Sequence, residues 1–364
     1  MKEPYVTIIT TMYNAEKHLT CYFENLKQQT FPDYVVLIIN DGSTDNTLAI
    51  CQKYAEQDDR IQIKSITHAG VAEARNIAHD QINTPFVTTL DADDCFDKDY
   101  LRHLIEAQKK YDADLVISNV IYLGENKQEI ERFRFREEGL YTSADFHWLL
   151  AALLDEDRLN YLYGKLFKYE LLKGIRVEPD VKQGEDTMIN CRYVMNINSI
   201  AVIEDYDYYY FMSNSQSITS YSGDEVFTRL CRINSFIFDI MERNGYLDDE
   251  MVRVIDGRVL LGGRRSMWKI INSDEKPNRK KARITEIVNS REYTVSYYRQ
   301  KERNNLNSFR LPVIAPGTEL EFYKSKMKSI RSAKRNKMRA KIVKAVPDST
   351  VDNLRTLRNK LRKK

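Results

Sequence analysis

Asp91-Ala92-Asp93-Asp94 sets three carboxylates within four residues. They repel one another, so the run is costly unless solvent or a cation compensates. Hard oxygen ligands suit Mg²⁺ or Mn²⁺, which also bind substrate phosphates. Such an ion would neutralise charge growing on a departing diphosphate; a solvated acidic turn is the simpler reading of the same residues. Two further polar runs are Thr11-Met12-Tyr13-Asn14 and Asn40-Asp41-Gly42-Ser43-Thr44-Asp45. The second is also a good turn and helix cap on its own. Gly70-Val71-Ala72-Glu73-Ala74-Arg75-Asn76 carries a guanidinium that could reach a diphosphate as a bidentate partner, or sit on the surface. Gly184-Glu185-Asp186 opens a helix, where a carboxylate is either a cap or a general base. The residues alone leave both readings open. With no Walker-A loop and no GxGxxG, a glycine-rich loop is not the means of phosphate capture.

The elements between these runs decide whether they meet. Over the first ~120 residues β-rich and helical patterns alternate, which predicts a mostly parallel sheet covered by helices. Strands are expected at Tyr5–Thr10, Val35–Ile39, Ile61–Lys64, Pro85–Leu90 and Asp114–Tyr122. Helices are expected at Ala15–Gln29, Asp45–Gln57, Gly70–His79 and Asp97–Tyr111. Val35-Val36-Leu37-Ile38-Ile39 is continuously apolar, as befits a strand buried on both faces. In open α/β sheets ligands bind beyond the carboxyl ends of the strands. The three polar runs follow the first, second and fourth strands, so the fold is expected to bring them together. Further on, Ala144–Asp155 and Glu185–Met195 read as helices, and Ser199–Met212 as extended chain rich in tyrosine. Residues 225–272 read as helical, 273–281 and 312–317 as separating turns, and a loose boundary is expected near 220.

The bulk numbers set limits. A chain of 364 residues with 42% hydrophobic and 30% charged residues buries a real core and reads as a soluble globular protein. There is no apolar run of the ~18 residues needed to span a bilayer, and no signal peptide is read at the N-terminus. Five scattered cysteines without a CxxC pair point to a reducing, cytoplasmic setting rather than a disulfide framework or structural zinc. The five histidines lack ligand spacing.

Taken together, the motifs resemble family 2 glycosyltransferases of the GT-A fold over roughly residues 5 to 220. Thr7 to Glu16 resembles the family's opening strand and Pro-x-Tyr-Asn turn, with Thr11 where proline is usual. Asn40 to Asp45 resembles its Asp-Asp-Gly-Ser-x-Asp turn, with Asn40 for the first acid. Gly70-x-Ala72-x-Ala74-Arg75-Asn76, Asp91-x-Asp93, Gly164-Lys165-Leu166-Phe167 and Glu185-Asp186 follow in the family's order. No arginine follows Tyr209-Tyr210; Phe211 stands there, ahead of Ser217-Ile218-Thr219. The resemblance implies that Thr11, Tyr13, Asn14, Asp41, Arg75, Asp91 and Ala92 bind a UDP-sugar, with Asp41 on the uracil and Tyr13 packed near it. It implies Asp93 on Mg²⁺ or Mn²⁺ and Asp186 as the base of an inverting transfer. Lys165, Glu185 and Ser217 are expected on the acceptor side.

The implied organisation is a catalytic domain over 1–220, a mainly helical region over 221–323 and a basic tail over 324–364. Within 1–220, nucleotide-sugar binding is expected in 1–125 and the acceptor and base region in 126–220. The tail carries sixteen Lys and Arg against two Asp, although the whole chain is only +3. It reads as two amphipathic helices that could lie on an anionic membrane surface, bind an anionic polymer acceptor, pack on the body or pair protomers. The expected acceptor is a cell-surface glycan, a teichoic acid or other polyol phosphate, or a lipid-linked saccharide. The expected location is cytoplasmic or peripheral at the inner face of the plasma membrane. No nucleic-acid recognition module accompanies the charge. A nucleotidylyltransferase would carry a basic glycine-rich loop near the N-terminus, which this chain lacks. A non-catalytic polymer- or membrane-binding protein on the same scaffold remains the alternative from a different class.

Overall fold

The computed structural model describes residues 3–124, 126–135, 137–179, 181, 183–212, 223–303, 305–306, 314–316 and 318. The basic tail and Ser217 lie outside the described residues. The chain divides into two compact units, one of residues 1–221 with 228–258 and one of residues 222–227 with 259 onward.

In chain order the first unit begins with β1 (Val6–Met12), α1 (Leu19–Lys27), β2 (Tyr34–Asp41), α2 (Thr47–Ala55), β3 (Ile61–Ile66), α3 (Val71–His79) and β4 (Phe86–Thr89). Next come β5 (Cys95–Phe96), α4 (Tyr100–Tyr111), β6 (Leu115–Ile117), β7 (Val120–Leu123), β8 (Glu129–Phe133) and β9 (Gly139–Thr142). It continues with α5 (Phe146–Asp155), β10 (Lys165–Lys168), α6 (Tyr169–Leu172), α7 (Glu185–Val194), β11 (Ser199–Val202) and β12 (Tyr208–Phe211). Then α8 (Gly223–Arg243) and α9 (Asp249–Asn272) each contribute residues to both units. An eight-stranded sheet runs β3-β2-β1-β4-β10-β6-β11-β9, and a four-stranded one runs β5-β12-β7-β8.

Alternation of side chains across the large sheet fills both its faces. Ile9, Ile39, Val87, Phe167 and Val202 join α3, α5 and α7 in one apolar cluster. Ile8, Ile38, Phe86, Leu166 and Ala201 join α1 and α4 in the other. On α1 the inward stripe is Leu19, Tyr22, Phe23 and Leu26, a helical spacing. The α/β architecture, with its sheet between helices and a helical C-terminal region, is the one expected from the alternation.

Several expected elements differ in extent. The first helix starts at Leu19 rather than Ala15, and the Ala15 and Glu16 amides before it donate to the Thr47 and Asp45 side chains. Asp114–Tyr122 is two strands in different sheets. Ser118 bonds through its amide to the Gly164 carbonyl, and Asn119 bridges Ile203 and Phe135, which turns the chain between them. Ser199–Met212 breaks in the same way into β11 and β12. The parallel pattern is also interrupted by β10, which lies antiparallel between β4 and β6.

In the second unit α10 (Pro277–Val288) and α11 (Arg291–Glu302) follow α9. The stretch 273–281 was expected to be a turn, but Pro277 sits in the first turn of α10, a position where its missing N–H costs nothing. Buried Tyr293 donates from its hydroxyl to the Ile314 carbonyl. Among the described residues no helix is long and apolar enough to cross a membrane.

Candidate functional site

Because β1, β2, β3 and β4 are parallel, their carboxyl ends share one edge. Thr11 and Met12 are the last residues of β1 and Asn40-Asp41 of β2, with Met12 opposite Asn40. Beyond them Asn14, at φ +51°, accepts through Oδ1 from the Thr44 amide at 2.8 Å, and its own amide donates to Ser43 Oγ at 3.0 Å. The two loops are thus fastened to each other, with the Asn14 side chain engaged in the clasp.

The third strand end supplies a residue that the sequence reading passed over. Asp41 is buried, and its two carboxylate oxygens accept from the amides of Ala69 (2.7 Å) and Gly70 (3.0 Å). His68 lies 3.0 Å from Asp41 through Nδ1 and stacks on the half-exposed Tyr13 ring at 4.3 Å. Gly42 is required here: at φ +66° an added Cβ would stand 2.7 Å from the His68 backbone nitrogen. The signal was available, since the loop after β3 opens on the same edge as the other three.

The acidic run divides by environment. Asp93 is exposed and Asp91 half-buried, whereas Asp94 is 2% exposed. Asp94 accepts from the Tyr208 hydroxyl at 2.7 Å and the Phe211 amide at 3.0 Å, so it anchors β12 rather than facing a ligand. Burial, then the charges of Asp91 and Asp93, push its carboxyl well above the usual range. Burial also raises Asp91 to about 6; Arg75 opposes the shift, while Asp93 and Glu185 add to it.

Arg75 is 5% exposed, and its Nη1 donates to Glu185 at 2.7 Å and also to Asp186. Its Nε has no hydrogen-bond partner among the described residues. Instead of standing open at the surface, this guanidinium joins α3 to the first turn of α7 and feels the charge of Asp91 as well. Gly184, not an acid, occupies the N-cap of α7, and no side chain caps it by a hydrogen bond. An added Cβ at Gly184 would collide with Ile233, which holds this end of the helix close to α8. Asp186 is raised to about 8, first by burial; Arg75 opposes, and Glu185 and Asp91 add to the rise.

Lys165 begins β10 at the same edge and is fully buried, donating from Nζ to the Tyr161 carbonyl at 2.6 Å and lying 4.1 Å over the Tyr161 ring. Burial lowers its amine well below the ordinary lysine value, and the charge of Asp186 draws it back up. Tyr161, Tyr163 and Tyr208 stack in sequence at 4.2 and 4.6 Å, joining the Lys165 region to the Asp94 anchor. Tyrosine richness was legible in the sequence; this stack, formed between distant segments, was not.

Asp91 and Asp93 offer hard oxygen donors in a cluster short of positive charge, a set that fits a divalent cation completed by substrate oxygens. Among the described residues, the three side chains whose ligand atoms already lie within 4.8 Å of one another are His103, Asp205 and Asp207. There His103 Nδ1 is 2.6 Å from Asp207, an ion pair between α4 and the start of β12 that spacing did not reveal.

Residues 7–168 match the family model for glycosyl transferase family 2. This stretch is a family 2 glycosyl transferase domain. The family 2 domain contains Thr11 to Lys165 of the edge, while Glu185 and Asp186 lie past it. "Glycosyltransferase GlyA" of Streptococcus pneumoniae serotype 4 is 29% identical over 192 residues, covering 51% of this chain and 27% of that protein. "Poly(ribitol-phosphate) beta-N-acetylglucosaminyltransferase TarS" of Staphylococcus aureus strain Mu50 is 27% identical over 211 residues, covering 56% of this chain and 35% of TarS. The chain thus spans about a third or less of these two relatives. The crystal structure of S. aureus TarS 1-349 superposes with a TM-score of 0.58 at 20% identity, covering 83% of this chain and 88% of that one. The family 2 domain therefore sits in a GT-A fold.

Proposed function

We propose that the chain transfers a sugar from a UDP-sugar to a hydroxyl of a cell-surface glycan, a polyol-phosphate polymer or a lipid-linked acceptor, with inversion. The observation that carries this reading is the convergence on Arg75: one buried guanidinium bonds both acids of α7 and feels Asp91 of the acidic run. That puts a raised carboxyl beside the motif expected to hold a diphosphate. Asp186, once ionised, accepts the proton of the acceptor hydroxyl, whose oxygen attacks the anomeric carbon opposite the leaving UDP. Arg75 and Lys165 set how readily Asp186 gives up its proton. Tyr13 stacked on His68, with Asp41 beneath, forms an aromatic and acidic floor suited to a uracil ring.

Asp93, with Asp91, would hold Mg²⁺ or Mn²⁺, and the ion would neutralise charge on the departing diphosphate. TarS, named for N-acetylglucosaminyl transfer to poly(ribitol phosphate) and solved with UDP-GlcNAc, supports a UDP-sugar donor and a polyol-phosphate acceptor. The test is UDP release from UDP-glucose, UDP-galactose, UDP-GlcNAc and UDP-GalNAc with Mg²⁺ or Mn²⁺. Release from at least one, abolished by a chelator, is expected; equal release with the metal removed would reject the metal-assisted reading.

A further inference from the structure

Cys21, the third residue of α1, and Cys95, the first of β5, hold their Sγ atoms 2.9 Å apart although 74 residues separate them in sequence. Both are free thiols; Cys21 is exposed and Cys95 half-buried, whereas Cys51, Cys191 and Cys231 are buried. A disulfide has an S–S length of about 2.05 Å, so closure calls for less than ~1 Å of approach. The two elements are already fastened to each other around the pair. Asn25 of α1 accepts from the Phe96 amide at 3.4 Å, and Gln29 donates to the Asp97 carbonyl at 2.7 Å.

We propose that Cys21 and Cys95 are a modification site: they form a reversible intramolecular disulfide on meeting a low-molecular-weight disulfide such as oxidised glutathione. The exposed Cys21, as thiolate, attacks one sulfur of the small disulfide and expels one thiolate. Cys95 then attacks the Cys21 sulfur and expels the second. The cysteines lose two electrons, the small disulfide gains them, and the two cysteine protons end on the released thiols.

The bond would act on the edge already described. Cys95 follows Asp93 and Asp94 directly and pairs with Tyr209 of β12, whose neighbours Tyr208 and Phe211 bond to Asp94. Oxidation therefore ties α1 to the segment that shapes the acidic run. This consequence, unlike the bond itself, rests on the donor-site reading.

The test treats the full chain with oxidised glutathione, quenches with acid, unfolds it and counts thiols. The expected count falls from five to three, with a loss of two hydrogens in mass and a Cys21–Cys95 linked peptide in the digest; dithiothreitol restores all five. Cys21→Ser is expected to give no such link. Five thiols remaining, a stable glutathione adduct on Cys21 in the parent chain, or a link between two chains would each overturn the proposal. A second arm compares UDP-sugar turnover of the oxidised and re-reduced chain, with several-fold lower turnover expected on oxidation. The thiol count stands whether or not the chain is a transferase, so the two readings fail separately.

Discussion

Asp186→Asn is expected to lower sugar transfer by ~10²–10⁴-fold while UDP still binds. The asparagine keeps the shape and can still accept from Arg75, but it cannot take the acceptor's proton. The pH dependence carries a second signature. Burial lifts Asp186 to about 8 in the folded chain, against an unfolded carboxyl near ~3.9. Its contribution to stability is therefore fully present below about pH 4 and is lost as pH rises through about 8. The variant's melting temperature relative to the parent should rise between pH 5 and about pH 8, because the parent's Asp186 must give up a proton on unfolding there and the asparagine has none to lose. In the parent, the rate should climb with pH on an acid limb governed by the Asp186 cluster as a whole. Unchanged transfer by Asp186→Asn would remove it from the role of base.

Arg75→Met should have the largest effect on stability. The guanidinium is the shared partner of Glu185 and Asp186 and also opposes the charge of Asp91. Removing one partner of a buried ionic group costs about 3–5 kcal/mol, because the remaining charges are left uncompensated. The sign with pH follows from the acids. Without Arg75 the carboxyls of Asp91 and Asp186 rise further, so at pH 5 they bind protons and the loss is small. At pH 8 the parent's Asp91 is ionised and paired, so the loss is larger, and it becomes full only above the still higher value that Asp186 takes in the variant. Chemical denaturation of parent and variant at both pH values checks this, and a loss independent of pH would mean that Arg75 acts through packing alone.

The framework of this site was legible because its signals are local. β2 is a continuous apolar run, and polar residues crowd the strand ends, so the α/β sheet and its polar edge follow from the pattern. Arg75 lay on its expected helix, but its partners come from α7, 110 and 111 residues away, and no local pattern encodes that pairing. Asp94 looked equivalent to Asp91 and Asp93 until Tyr208 was brought onto it across 114 residues. β10 escaped notice because Lys165-Leu166-Phe167-Lys168 is too short for a period to show. The buried Lys165 runs against the usual solvent preference of lysine, and only the tertiary fold encloses it. His68 is different: applying the strand-end rule to β3 as well would have found it.

The proposed metal-assisted UDP site lies on the edge formed by Tyr13, Asp41, Asp91 and Asp93. The decisive measurement of it is titration of UDP into the chain by calorimetry, with Mn²⁺ and with chelator. Binding is expected to tighten with Mn²⁺, to lose that gain in Asp93→Ala and to keep it in Asp186→Asn. Binding indifferent to the metal, or an Asp93→Ala variant that retains the full gain, would contradict it.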